Sequence, residues 1–282
     1  MITTRLARRE FSAAVRNYWF VVNGGLFLVG GLLLLLFGQQ DVSVLGYRGV
    51  ARSMTGLLQL ALFVVPLMAL FPGAAAVAGE RETGTLDFLL AQPVTRAQVY
   101  AGKWCGVAAA VGLSILVGFA AIAGIALSRG VPVGLFLGLV GLTLLLAGAF
   151  VSFGLWLSAA SATQGRATSL GLTLWIGALA LGSLGLMGAF VGWGVPPLVL
   201  EAWAILNPVE AFRMALVTLV DPGLAMLGPV GQDLSERLGG PLLVGLSVAS
   251  LVTWCLAAFW AGRRTFRAPL RQRAGEHGPD SR

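Results

Sequence analysis

Few residues of this chain could do covalent, acid–base or metal chemistry, and none stands in a pattern that would let it. The only histidine, His277, lies in a polar tail far from any serine of the apolar stretches, so a Ser–His pair is not available. Cys105 and Cys255 fall in separate apolar stretches with no second Cys or His beside either. That spacing builds neither a disulfide framework nor a zinc site, and both read as small buried hydrophobes. Lys103, in Ala101-Gly102-Lys103-Trp104, lacks the preceding glycine spacing and the following hydroxyl of a phosphate loop, and no GxxxxGK[ST] occurs. The sequence therefore reads as no enzyme, with no cofactor or metal bound by this chain.

Two polar segments carry more information. The first runs Gly79-Glu80-Arg81-Glu82-Thr83-Gly84-Thr85-Leu86-Asp87-Phe88-Leu89-Leu90-Ala91-Gln92-Pro93-Val94-Thr95-Arg96. Thr85 can cap a short helix whose Leu86, Leu89 and Leu90 share one face, with Asp87 well placed for the helix dipole. Pro93 ends it by pushing Gln92 out of the α region, and Thr95-x-x-Gln98 opens the next helix as a capping box. A stubby amphipathic helix pinned between two long apolar ones suits force transmission to a soluble partner; the alternative is a loop resting on the bilayer. The second segment is Asn207-Pro208-Val209-Glu210, in which Asn caps, Pro fits the first turn and Glu reaches back. Asp221-Pro222-Gly223 stops that helix.

The elements around these segments follow from composition. Of 282 residues, 57% are hydrophobic and only 11% charged, with mean hydropathy +0.86. Soluble domains carry about a quarter charged residues, so this is a membrane composition. A span needs about 20 apolar residues, and six stretches qualify: Tyr18–Phe37, Thr55–Val77, Ala101–Leu127, Val133–Leu157, Leu170–Val195 and Leu242–Gly262. Lipid cannot satisfy exposed backbone amides, so the expected fold is all-α, a single transmembrane domain over 1–282. Pro66 and Pro72 are expected to kink the second span.

Six spans put both termini on one side. With the termini inside, Arg5, Arg8, Arg9, Arg16, Arg81, Arg96, Lys103, Arg166, Arg263, Arg264, Arg267, Arg271, Arg273 and Arg282 are cytoplasmic. Arg48, Arg52, Arg129, Arg213 and Arg237 lie outside, and this asymmetry sets the orientation. It also accounts for the net charge of +7 without nucleic acid as a partner. Residues 1–17 read as an interfacial helix, with Arg5, Arg8, Arg9, Ser12 and Arg16 on one stripe and Ala7, Phe11, Ala14, Val15 and Tyr18 on another. Residues 79–96 form the first cytoplasmic loop, 196–240 a long outward segment and 263–282 a cytoplasmic tail. The outward segment sets Glu201, Glu210, Asp221, Asp233 and Glu236 against Arg213 and Arg237. It reads either as a side from which basic residues are kept or as a docking platform. Scarcity of ionisable groups within the spans, and no inverted repeat, argue against an ion-coupled carrier.

The stretch Glu80-Arg81-Glu82-Thr83-Gly84-Thr85-Leu86 through Pro93-Val94-Thr95-Arg96, ending in Gly102-Lys103, resembles the coupling-helix motif of type-2 ABC exporter permeases. Six spans behind an interfacial helix resemble the same family. The resemblance implies a multi-pass protein of a bacterial inner membrane, a second copy of itself as homodimer partner, and a separate ATPase subunit that holds the ATP and Mg. It further implies that Glu80, Glu82, Gly84, Thr85, Leu86, Leu89, Leu90 and Pro93 couple to the ATPase, with Arg96 and Lys103 beside them at the membrane edge. Leu206-Asn207-Pro208-Val209-Glu210-Ala211-Phe212-Arg213 resembles the NosY-like branch, permeases of nitrous oxide reductase copper-site maturation. That implies a periplasmic maturation protein as partner, met through Asn207, Pro208, Glu210 and Arg213. Met54, Met68, Met187, Cys105 and Cys255 are scattered, which argues against direct copper passage and for a sulfur species or mechanical force. The same architecture exporting a drug, lipid or peptide, and a non-transporting membrane scaffold, are the alternatives.

Overall fold

A computed structural model describes residues 7–12, 18–37, 49–91, 93–128, 130–184, 197–221, 237 and 239–267. Among these there are helices and no strand. A helical stretch over residues 7–12 (α1) precedes α2 (Tyr18–Phe37), α3 (Gly49–Glu82), α4 (Thr85–Leu90), α5 (Arg96–Ser128), α6 (Val133–Ala160), α7 (Gln164–Leu179), α8 (Pro197–Leu206), α9 (Pro208–Val220) and α10 (Gly240–Arg267). A π-helical turn, Ala180–Leu184, continues α7.

Among the described residues, four helices are long and apolar enough to cross a membrane: Met54–Glu82, Arg96–Ser128, Val133–Ala160 and Gly240–Phe266. They contain the second, third, fourth and sixth expected spans. The first coincides with α2, whose shorter apolar stretch is Gly24–Leu34. The fifth enters the described residues only as α7 and its π turn; 185–195 lie outside them, as do 222–236 of the outward segment and the tail beyond 267. Leu26, Phe63, Val117, Leu137, Ile176 and Leu256 are exposed on the helix flanks. A collar of that kind suits hydrocarbon rather than water.

The core is built around α3, which packs most extensively on α6; α6 in turn carries α10 on its other side. The α3–α6 crossing is a backbone contact: the Gly73 and Gly154 Cα atoms face each other, and a Cβ at Gly154 would stand 2.8 Å from the Leu70 carbonyl oxygen. Between membrane helices, where lipid is as apolar as the side chains, such close approach is what holds a pair together. α3 runs as helix through both prolines. Nearer its end a side chain of another helix reaches its backbone. Ser158 Oγ of α6 accepts from the Val77 N–H (3.0 Å) and the Ala78 N–H (2.8 Å), and donates to the Ala74 carbonyl. A hydroxyl inserted into the ladder is a recognised way to bend a helix, and here it welds two helices.

The helical segment after α7 is not a free surface element. From Val209 to Val217 nearly every side chain of α9 is buried, and the helix packs on α10, α6 and α3. Within the expected outward segment, α9 is thus enclosed by the bundle, whereas Val199, Trp203 and Leu206 of α8 stay exposed.

Candidate functional site

Charged and polar contacts among the described residues gather at the end of the bundle that carries α4. Arg81, in the last turn of α3, donates from Nη1 to the Ser161 carbonyl and from Nη2 to the Ala159 carbonyl (3.3 Å). A cation there meets the unsatisfied carbonyls at the C-terminus of α6. Arg96 does the same for α10, donating to the Phe266 carbonyl at 3.3 Å. Glu82 accepts from the Gln164 N–H at 3.0 Å, so the turn before α7 is tied to the end of α3. The exit from α3 is therefore fixed on two sides before α4 begins, and the entry to α5 on a third.

The turn into α4 differs from its expected form. Gly84, not Thr85, precedes the helix, with φ +74° and no side-chain cap. Thr85 is the first helical residue, and its hydroxyl donates backwards to the Glu80 carbonyl at 3.3 Å, joined by Thr83 Oγ1 donating to the Gly79 and Glu80 carbonyls. The threonines thereby satisfy orphan carbonyls at the C-terminus of α3. Gly84 is needed for its left-handed conformation alone, since a Cβ there would meet nothing within 4 Å.

α4 turns its leucines inward. Leu86 and Leu89 are buried in the main apolar core and Leu90 packs partly against it. The residue that faces out is Phe88, 83% exposed, beside the exposed Asp87. Past exposed Pro93, the expected capping box is present: Thr95 N–H donates to Gln98 Oε1 at 3.0 Å and Gln98 N–H to Thr95 Oγ1 at 3.3 Å. Lys103, one further helical stretch along α5, is fully buried, with Nζ 2.9 Å from Glu10 Oε1 and 2.8 Å from Glu80 Oε2.

Of the residues singled out by sequence, Glu82, Gly84, Thr85, Pro93 and Arg96 are exposed around α4, Glu80 and Leu90 are half-buried, and Leu86, Leu89 and Lys103 face inward. The structure adds Phe88, Ser158, Arg81 and Gln164. Only Phe88 had a local signal, an aromatic side chain off the leucine face of a short helix.

At the α8–α9 junction, Asn207 caps α9 as expected, accepting from the Val209 N–H at 3.0 Å, and its Nδ2 donates to the Ala178 carbonyl at 2.8 Å. Trp203 Nε1 donates to the Leu181 carbonyl at 3.1 Å. The carbonyls belong to the end of α7 and to its π turn, so both side chains tie the α8–α9 junction to that end. Glu210 does not reach back to the cap. It is buried against Gly182 and lies 3.3 Å from Arg213 Nη1. Burial raises its carboxyl pKa above the ordinary range, and the Arg213 charge draws it part of the way back. Asn207, Pro208 and Glu210 are thus enclosed by the chain itself, and Arg213 is half-buried.

Comparison with known proteins agrees with this architecture. The ABC-2 family transporter protein profile matches residues 4–266. A protein of Pseudomonas aeruginosa named "Probable ABC transporter permease protein NosY" is 30% identical over 267 residues, covering 91% of this chain and 92% of its own length. A protein of the same name from Stutzerimonas stutzeri is 29% identical with the same coverage. A bundle of long apolar helices carrying a short braced helix at one end, matched by this family over almost its whole length, belongs to the ABC-2 family of transporter proteins as a membrane permease subunit.

Proposed function

We propose that this chain is the membrane half of an ATP-driven transporter of the NosY-like branch, and that α4 is where a separate ATPase subunit grips it. The observation that carries the reading is Phe88. A large aromatic side chain stands 83% exposed at the tip of a helix whose two leucines anchor it to the bundle. Exposed apolar groups presented on a rigid support are what interface anchors look like. Leu86 and Leu89 then hold α4 in place, while Phe88, Asp87, Gly84 and Thr85 face the ATPase. ATP and Mg reside on that subunit. Two permease chains and two ATPases make the working unit, with six spans per chain, both termini cytoplasmic and the bacterial inner membrane as location.

The likeness to two proteins named NosY supports a role in copper-site assembly of nitrous oxide reductase, by exporting a cargo or by acting on a periplasmic partner. Burial of Asn207, Pro208 and Glu210 shifts any contact with that partner to other residues of the segment between α7 and α10, with Arg213 at its edge.

Co-expression with the neighbouring ATPase gene and affinity purification of the permease tests the reading. The ATPase is expected to co-elute with the wild-type chain. Gly84→Pro is expected to insert in the membrane but to lose the ATPase, because proline holds φ near −65° where Gly84 has +74°. An ATPase retained at wild-type level by Gly84→Pro would remove α4 as the grip.

A further inference from the structure

Lys103 draws together three elements that the sequence keeps far apart. It lies on α5 with no exposed surface, and its ammonium is within 3 Å of a carboxylate from α1 and another from the last turn of α3. The α1 contact is more than one ion pair. A Cβ at Gly106, one turn along α5, would stand 2.5 Å from Glu10 Cβ and 2.6 Å from the Ala7 carbonyl oxygen. Backbone therefore lies on backbone where α1 crosses α5, and Lys103 closes the crossing.

We propose that Lys103 is a latch that makes α1 and the root of α4 move as one body. The inference rests on the coupling reading of α4 for its consequence, but not for its geometry. A fully buried ammonium has no water to turn to, so separating it from its carboxylates is far costlier than separating an exposed pair. Glu80 is four residues before Gly84 and its carbonyl also holds Thr83 and Thr85. Displacing α4 thus displaces Glu80. Lys103 passes that displacement to Glu10, and α1 is carried along rather than left on the bilayer. Glu10 and Glu80 each keep some solvent contact, at 11% and 20% side-chain exposure, which makes two carboxylates around one cation tolerable. Lys103 is in this sense a positioning residue for the coupling loop.

Hydrogen–deuterium exchange on the full-length permease in nanodiscs tests the latch without any ATPase. Two variants break it: Lys103→Met, and the uncharged Glu10→Gln/Lys103→Met/Glu80→Gln, which avoids stranding two carboxylates should the single variant fold poorly. Both are expected to raise exchange across residues 7–12 by on the order of tenfold, with Lys103→Arg staying close to wild type. Unchanged exchange in the triple variant overturns the latch. A second arm adds the co-purified ATPase with and without ATP. In the wild type, exchange over 7–12 and over 80–90 is expected to change together; in the triple variant only 80–90 responds. Independent responses in the wild type also overturn the proposal. Failure of the ATPase to bind the wild-type permease sinks the coupling reading instead, and the first arm then decides the latch.

Discussion

Phe88→Asp is expected to abolish co-purification of the ATPase while leaving the permease as stable as the wild type. The ring is 83% exposed, so its removal takes little from the fold; surface changes of this kind stay within about 0.5 kcal/mol. Its burial against a partner is another matter. An aromatic anchor contributes about 2–4 kcal/mol at an interface, and a carboxylate in the same pocket adds an unpaired buried charge. The expected loss is at least about a hundredfold in affinity, near 3 kcal/mol. Leu89→Asp makes the contrast, since Leu89 is buried in the bundle's own core and its replacement is expected to lower thermal stability as well as binding. Titration of purified ATPase against the two variants and the wild type in nanodiscs, alongside their melting curves, separates the roles. A Phe88→Asp permease that binds like the wild type would place the grip elsewhere.

The reason Phe88 was not singled out by sequence shows where such reading stops. Helical periodicity puts Leu86, Leu89 and Leu90 on one face, but periodicity does not say whether that face looks at a partner or at the chain itself. Contacts within a few residues were legible: the Thr95–Gln98 box and the Asn207 cap are both present. Other local rules lost to nearby competitors. Thr85 is placed to cap α4, yet the Glu80 carbonyl takes its hydroxyl, and Glu210 turns from its cap to pack on Gly182. The contacts that brace the site, from Arg81 to the end of α6, Ser158 into α3 and Lys103 to Glu10 and Glu80, join residues far apart in the chain. Neither composition nor spacing records which helix ends meet. Family resemblance pointed to α4 as the candidate site, and the fold shows which of its side chains face inward and which face out.

On the proposed coupling role, the bracing makes α4, α3 and α6 one unit, and the unit has a testable weak point. Gly154→Ala is expected to disrupt it, whereas Gly148→Ala, on the same helix, is expected to be tolerated. The two changes are chemically identical and both should favour helix by up to about 1 kcal/mol. Their surroundings differ. A Cβ at Gly148 would sit 3.6 Å from Cys255 Sγ, an ordinary contact. At Gly154 it would meet the Leu70 carbonyl oxygen at 2.8 Å, and the Gly73 Cα and Ala74 N–H nitrogen at 3.1 Å, all backbone atoms with no rotamer to change. The helices must then separate, and separation also draws Ser158 out of the α3 ladder, so that the Val77 and Ala78 amides lose their acceptor. Overpacking costs about 1–3 kcal/mol and the lost hydrogen bonds add to it, for a drop in apparent Tm of roughly 5–10 °C. Melting of both variants in nanodiscs reads the difference directly. If Gly154→Ala melts with Gly148→Ala, α3 and α6 are not in backbone contact, and a push on α4 has no stiff path into the membrane.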